Sequence, residues 1–324
     1  MEDHPVRVLA MAHYHQGSNR GGAELMLHAL LRALAEAGHE VWMAATRSPV
    51  GEHLIDGVRV ISGPASRTLL KQGPWDLAVT HLTETTRTVA WARAHLVPVA
   101  TVVHSTHPWI GADLAFGADL AVFNSRWVAD HHHRRGWTGH HLVVHPPVDA
   151  AEHRTRPGSR VTLVNLIPEK GSHLFYRLAE RLPHLDFLGV IGGYETHRQD
   201  VRVLPNVRIQ AHTARMRDEV WANTRVLLVP SDYESYGLVG PEAMCSGIPV
   251  LAHPTPGTRE ALGSAGTYLD RDDVDAWERA LRRWEDPTKW AKASHAAAER
   301  ARHLDPAPEL AAWVEAAEKA GARC

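Results

Sequence analysis

An α/β fold of two doubly wound parallel-sheet (Rossmann-like) domains facing a cleft is the class this sequence predicts, and three observations carry the prediction. Short apolar runs rich in strand formers alternate with amphipathic helical stretches, giving the strand–loop–helix–strand unit from which parallel sheets are built. The alternation runs in two series of similar size. Between them HPPVDA (145–150) interrupts the rhythm with two prolines and leads into the polar, turn-forming AEHRTRPGSR, which has the character of a linker. At 324 residues the chain is long enough for two ordinary domains. They are expected at 1–150 and 151–300, leaving 301–324 as a C-terminal helix free to pack back on the first domain.

The first series opens with VRVLAMA (6–12), a strand, followed by the glycine-rich turn GSNRGG (17–22). AELMLHALLRALAEAGHE then reads as an amphipathic helix. Leu27, Leu30, Leu31 and Leu34 lie on one face, and Gly38 acts as a stop. Further strands are expected at 41–45, 58–61, 77–80, 99–103 and 119–123, with helices at 84–95 and 125–135. The second series places strands at 161–165, 186–191, 207–210, 226–229 and 248–252. Its helices are expected at 171–181, 214–222, 237–246, 258–263 and 273–284, before an Ala-rich helical tail at 288–302 and 307–321. In doubly wound sheets, ligands bind beyond the carboxyl ends of the strands.

Composition narrows the class. Hydrophobic residues make up 44% and charged residues 22%, values of a globular protein. No run approaches the roughly 18 apolar residues a membrane helix needs. The start, MEDHPVRVLAMAHYH, lacks the basic region and apolar core of a signal peptide. A cytoplasmic location is therefore expected, with peripheral membrane association left open. Two cysteines, Cys245 and the last residue Cys324, make a structural disulfide unexpected. Formal net charge is −2, and Lys/Arg against Asp/Glu balance in both halves, 12 to 13 and 23 to 24. A protein that grips nucleic acid through phosphates would show a basic surplus, so no nucleic-acid partner is indicated. Among 24 histidines, His131-His132-His133 falls on a helix, where neighbours point about 100° apart and cannot share one ion. It reads as a solvated face. His13 and His15 alternate after the first strand and read as surface residues, or as part of a pocket with His81, Thr83 and Thr86. No metal is expected.

The densest stretch is Ser231–Val250, SDYESYGLVGPEAMCSGIPV. Leu227-Leu228-Val229 forms a buried strand ended by Pro230. The loop Ser231–Tyr236 lies at its carboxyl end, and Gly237 opens a helix that contains Glu242. A helix start offers unpaired N–H groups to a phosphate, and Gly237 lets backbone approach it closely. Glu242 can accept hydrogen bonds from ribose hydroxyls, and Glu234 from a second polyhydroxylated group. Sugar, phosphate and ribose contacts in line match a sugar nucleotide. Singly, each glutamate also reads as an acidic residue placed for a helix dipole.

PSDYESYGLVGPEAMCSGIPVLAHPTPGTRE resembles the Glu-x7-Glu signature of family-four retaining glycosyltransferases of the GT-B fold. The likeness extends to NLIPEKG (165–171), GGAE (21–24), TVVHS (101–105) and HPPVD (145–149). The resemblance implies that Glu242 binds the donor ribose and Glu234 hydroxyls of the transferred sugar. It implies that Ser235, Tyr236, and the backbone at Gly237 and Leu238 line the donor site, the last two holding the diphosphate. Lys170 would neutralise the leaving diphosphate, Gly22 would let the first-domain loop close over it, and His104 would lie beside the transferred sugar. At the donor-binding position Asn165 the family often carries arginine, so either Arg20 or another arginine would supply that charge or leaving-group stabilisation would rest more on Lys170. It also often shows paired glycines where this chain has Pro256-Gly257. The implied reaction is metal-independent glycosyl transfer, with retention, from a nucleoside-diphosphate sugar, UDP or GDP being favoured, to a hydroxyl acceptor. That acceptor is open: a glycan, lipid, small metabolite, protein or modified DNA base, with Trp109 near its cleft. A sugar-nucleotide epimerase and a non-catalytic sugar-nucleotide binding protein are the alternatives.

Overall fold

A computed structural model describes residues 5–18, 21–108, 114, 117–193 and 198–322. They divide into two compact units, Met1–Pro147 with Pro306–Cys324, and Val148–Asp305. The first unit carries β1 (Arg7–Ala12), β2 (Glu40–Ala45), β3 (Gly51–Ile55), β4 (Val58–Ser62), β5 (Leu77–His81), β6 (Val99–Val103), β7 (Leu120–Phe123) and β8 (His141–Val143). They form one sheet in the order β3-β4-β2-β1-β5-β6-β7-β8, with every pairing parallel except β3 with β4. The second unit carries β9 (Arg160–Val164), β10 (Phe187–Val190), β11 (Val207–Gln210), β12 (Thr224–Val229), β13 (Val250–Ala252) and β14 (Thr267–Tyr268). Its sheet runs β11-β10-β9-β12-β13-β14, parallel throughout. In both sheets the first strand is central and the order reverses beside it, between β1 and β5 and between β9 and β12. Such switch points open a crevice at the strands' carboxyl ends.

Alternate side chains explain why β1 is apolar on both faces, as a parallel strand covered on both sides must be. Val8, Ala10 and Ala12 pack against Leu27, Leu30, Leu31 and Leu34 of the helix Gly22–Glu36. Leu9 and Met11 pack on the other face with Leu69 and Trp75. In the second unit Leu163, Phe175, Leu178, Phe187 and Trp277 build one core face, and Leu188, Leu227, Val229, Met244 and Ile248 the other.

The chain's end returns to the first unit. Helix Pro287–Arg302 belongs to the second unit, and Ala307–Gly321 packs on the first, so the crossing lies at 306 rather than 301. Two polar ties hold the last helix. The Trp313 indole N–H donates to Leu30 O at 2.9 Å, and Glu309 accepts from the His145 backbone N–H and ring Nδ1 at 2.7 and 2.8 Å. The histidine of HPPVD therefore has a local structural role.

Three differences from expectation are instructive. The edge strand β3 carries exposed Glu52, His53 and Leu54, so it shows no core pattern; it is made by the turn Asp56-Gly57, whose φ values are +48° and +82°. Positive φ at both central residues is the type I′ hairpin, and Asp-Gly is its strongest sequence signal. The helix expected at 214–222 is a π-turn, Met216–Val220, running into a 3₁₀ turn, Trp221–Asn223. There the Asn223 side chain donates to Glu219 O at 3.0 Å and Trp221 is wholly buried. The helix expected at 237–246 is shorter, Val239–Met244 with Leu238 as its N-cap. Gly237 therefore precedes the helix in a left-handed conformation, φ +88°, which Gly adopts without penalty.

Candidate active site

At the carboxyl end of β9 the chain turns on Asn165, whose φ of +71° lies in the left-handed region that asparagine tolerates best after glycine. Its N–H donates to Val190 O at 2.9 Å and its carbonyl accepts from Ile167 N–H at 2.8 Å. The side-chain oxygen accepts from Gln199 Nε2 at 3.3 Å. A Cβ on Gly192 would come within 2.3 Å of that oxygen, so the glycine makes room for the amide. Asn165 thus shapes the loop and brings no charge to it.

The next residues, Pro168–Lys170, form a 3₁₀ turn closed by Gly171 at φ +85°. A Cβ on Gly171 would lie 2.5 Å from Pro230 Cγ, so that glycine brings the turn against the end of β12. The Asp232 N–H donates to Glu169 O at 3.1 Å. Two loops 64 residues apart are thereby joined, and the joint delivers the site's main contact. Lys170 Nζ donates to Glu234 Oε1 at 2.6 Å, and Ser231 Oγ donates to the same oxygen at 2.8 Å. Both donors fall on Oε1, and Oε2 carries no bond to a described residue. The two side chains are 29% and 13% exposed.

Two more features brace this loop. A Cβ on Gly257 would lie 2.3 Å from Glu234 O and 2.6 Å from the Ser235 carbonyl carbon. The start of helix Pro256–Leu262 therefore packs directly on the backbone that carries Glu234, and one glycine of the expected pair suffices. Arg271, only 15% exposed, donates from Nη2 to Pro168 O at 3.1 Å and lies 3.4 Å from Asp232 Oδ2. It clamps the lysine loop to the glutamate loop. Its backbone N–H donates to His253 Nδ1 at 3.2 Å. Sequence reasoning missed Arg271, because nothing local distinguishes it from the exposed charges around it.

Glu242 is 5% exposed within Val239–Met244, and Ser235 is half-buried on the loop before it. Tyr236, expected among the donor-binding residues, is packed in the core with Leu227, Val229 and Met244, so its ring anchors the loop from below. Cys245 is free and buried, its thiol pushed up to about 11 by burial and then by the Glu242 charge. It is a packing residue.

In the first unit Gly22 is the exposed first residue of helix Gly22–Glu36. His104 follows β6 and is 9% exposed, and its Nε2 lies 3.1 Å from Nδ1 of wholly buried His81, the last residue of β5. Burial pushes His104 down to about 3 and, with help from the His104 and His13 charges, pushes His81 well below 6.5. His13 and His15 are buried rather than on the surface. His13 Nδ1 lies 3.3 Å from Thr83 Oγ1, and Thr83 and Thr86 are both exposed. His15 donates its backbone N–H to Ser48 Oγ at 3.2 Å and takes the Gly17 N–H on Nδ1 at 3.0 Å. The three-histidine run is not uniformly solvated: His132 is buried, stacked on Phe123, with Nε2 3.0 Å from Ser105 O. Among the described residues no group of three or more His, Cys, Asp or Glu side chains could hold a metal ion. Arg20, Trp109 and Cys324 lie outside the described residues.

Residues 153–304 match the model of the family described as glycosyl transferases group 1. The matched stretch falls within the second unit, Val148–Asp305. A stretch of 57 residues is 40% identical to O-antigen chain mannosyltransferase B of Escherichia coli, spanning 18% of this chain and 15% of that protein. The structure resembles sucrose-phosphate synthase from Thermosynechococcus elongatus, with TM-score 0.78, 18% identity, and 98% and 100% of the two chains covered. It also resembles Anabaena HepE in complex with UDP-glucose, with TM-score 0.76, 16% identity, and 95% and 98% covered. These likenesses show the fold, GT-B. No helix among the described residues is long and apolar enough to cross a membrane.

Proposed function

We propose that this protein is a retaining glycosyltransferase that moves a sugar from a nucleoside-diphosphate sugar to a hydroxyl acceptor without a metal ion. The observation that carries the reading is the 2.6 Å contact of Lys170 with Glu234. It joins the two segments that resembled a donor site, NLIPEKG and the Glu-x7-Glu stretch, although neither predicts the other. In this reading the lysine faces the diphosphate, while Glu234, anchored through Oε1, turns Oε2 to hydroxyls of the transferred sugar. Glu242 takes the ribose. The Gly237 and Leu238 amides, ahead of a helix of only six residues, add short-range donors to the phosphates.

The chemistry follows from charge. As the anomeric C–O bond breaks, negative charge grows on the diphosphate, and a fixed ammonium group stabilises it without reorganising. With Asn165 neutral and engaged in its loop, Lys170 carries more of this load, and Arg271, which donates to Pro168 O in the same turn, is a candidate for a supporting cation. A nucleoside-diphosphate donor is supported by the UDP-glucose complex of the Anabaena protein. The proposed location is the cytoplasm, where such donors are made, and the acceptor is any hydroxyl compound the first unit admits.

A thermal-shift screen against UDP-, GDP-, ADP- and dTDP-sugars tests the reading, since a ligand at 100 times its Kd adds about 2.7 kcal/mol. One class should raise Tm by several degrees, and Glu242→Ala should abolish that rise. Absence of a shift with all four would sink the proposal. Transfer that survives a chelator supports the metal-free mechanism; conversion of the donor with no acceptor present would favour an epimerase instead.

A further inference from the structure

We propose that His81 is a positioning residue for His104: it holds the His104 ring in the Nδ1–H tautomer, so that His104 meets its ligand as a hydrogen-bond donor to an oxygen and never as the base that takes the acceptor's proton. The proposal deepens the glycosyl-transfer reading and rests on it for the statement that His104 faces substrate; the tautomer itself stands on geometry alone.

β5 and β6 lie side by side and parallel, His81 opposite Val102, so the two strand ends present their histidines together. His81 Nδ1 and His104 Nε2 are 3.1 Å apart, and a hydrogen bond between them needs one hydrogen on one of the two. There are two ways to place it. If His104 Nε2–H donates, neutral His81 must carry its own hydrogen on Nε2. That atom is buried and has no partner. If His81 Nδ1–H donates instead, the buried Nε2 is a bare lone pair. A buried N–H with nothing to bond is the rarer and costlier orphan. Protonating His81 would combine that orphan with an unpaired buried charge. The second arrangement therefore holds. His104 Nε2 accepts, and the neutral ring carries its hydrogen on Nδ1, which has no bond to a described residue.

The surroundings keep the pair neutral. The charges acting on His81 are those of His104 and His13, all of one sign, and burial acts in the same direction. His13, whose ring centroid is 5.8 Å from that of His81, is the group that faces Arg47 and Glu84. Asn124 Nδ2 donates to the His104 carbonyl at 3.2 Å and fixes the backbone. An imidazole with one nitrogen already accepting and the other protonated has no site for a further proton. In the proposed reaction the proton of the attacking hydroxyl must therefore go to another group, such as the departing phosphate.

The test is spectroscopic first. Two-bond ¹H–¹⁵N correlation spectra of protein labelled at the histidine rings report each tautomer, with His81 and His104 assigned by the signals lost in His81→Gln and His104→Gln. The expected result is His104 as the neutral Nδ1–H form from pH 5.5 to 8. An Nε2–H pattern, or titration near pH 6.5, overturns the proposal. In kinetics, His81→Phe, which cannot donate, should lower kcat at least 10-fold with donor KM within 3-fold. His81→Gln, whose amide can donate, should recover most of the loss. Equal rates for His81→Phe and wild type overturn the positioning role. If His81→Phe does not fold, the wild-type spectrum and the His81→Gln rate decide. An Nδ1–H spectrum in a protein that turns over no donor leaves the tautomer standing and removes the glycosyl-transfer reading.

Discussion

The two sheets share a doubly wound parallel core, with the first strand central in each, and end in opposite chemistry. At the carboxyl ends of the second unit's strands the working contact is an ion pair, Lys170 with Glu234, with Arg271 and Asp232 behind it. At those of the first unit it is a pair of neutral imidazoles, His81 and His104. Exposure accounts for the difference. The ions keep 29% and 13% of their side-chain surface, whereas His81 and His104 are buried residues. A charge that deep without a counter-ion is too costly, so the ring sheds its proton instead. The contrast suits the proposed division of labour: a charged half for a diphosphate, and a neutral, hydrogen-bonding half for hydroxyl groups.

The sharpest way to break this contrast is to remove the charge. Lys170→Ala should lower kcat by about 10²–10³, the usual cost of losing one preorganised donor to developing charge. Tm should move little, because part-exposed pairs contribute at most about 1 kcal/mol. An unchanged rate in the folded variant would take the leaving-group role away from the second unit.

Gly257→Ala tests whether the geometry behind the pair matters as much as the pair. Its methyl would meet the Glu234 carbonyl at 2.3 Å, so the loop must shift. A displacement of about 1 Å can cost on the order of 10²-fold in rate, with about 1–3 kcal/mol of stability lost to overpacking. Kinetics and urea titration of one variant read both.

Acidification sharpens the other side. For His81 and His104 the folded state binds protons less readily than the unfolded chain. Their contribution is intact above the unfolded value near 6.5 and is lost as pH falls below it, because the unfolded state takes up protons first. Between pH 7 and 5.5 each such histidine should cost about 1 kcal/mol, in a window above the carboxylates. Urea unfolding at the two pH values measures the sum, and His81→Gln should reduce it. A pH-independent midpoint would mean that the imidazoles are not held neutral. The smallest effect is expected at Cys245, whose thiol at about 11 should react with a disulfide reagent at pH 8 far more slowly than in urea-unfolded protein.

Periodicity exposed most of the architecture. Parallel strands buried on both faces must be continuous apolar runs, so β1, β6 and β12 stand out from their neighbours. Edge strands escape the same logic: β3 is exposed and β14 is two residues long, and neither has a core pattern to show. The Asp56-Gly57 turn was a readable signal of the hairpin that periodicity passed over. The candidate site was legible at Gly237, where close backbone approach demands glycine. It was illegible where a charge gains its meaning from a distant partner. Arg271 and Gly257 act on loops that lie nearby only after folding. Tyr236 sits among the expected ligand-facing residues and is packed in the core with Leu227, Val229 and Met244, contacts that only the fold brings together.

What the sequence determined alone is the pair of parallel sheets and the segments at their carboxyl ends, since both follow from local preferences repeated along the chain. Tertiary structure decided the pairings. That Lys170 meets Glu234 across 64 residues, that His81 meets His104, and that the last helix returns to Leu30 depend on which strands lie side by side. The reason is physical: propensity and periodicity act within a few residues, while protonation, ion pairing and burial depend on the neighbours that the fold supplies.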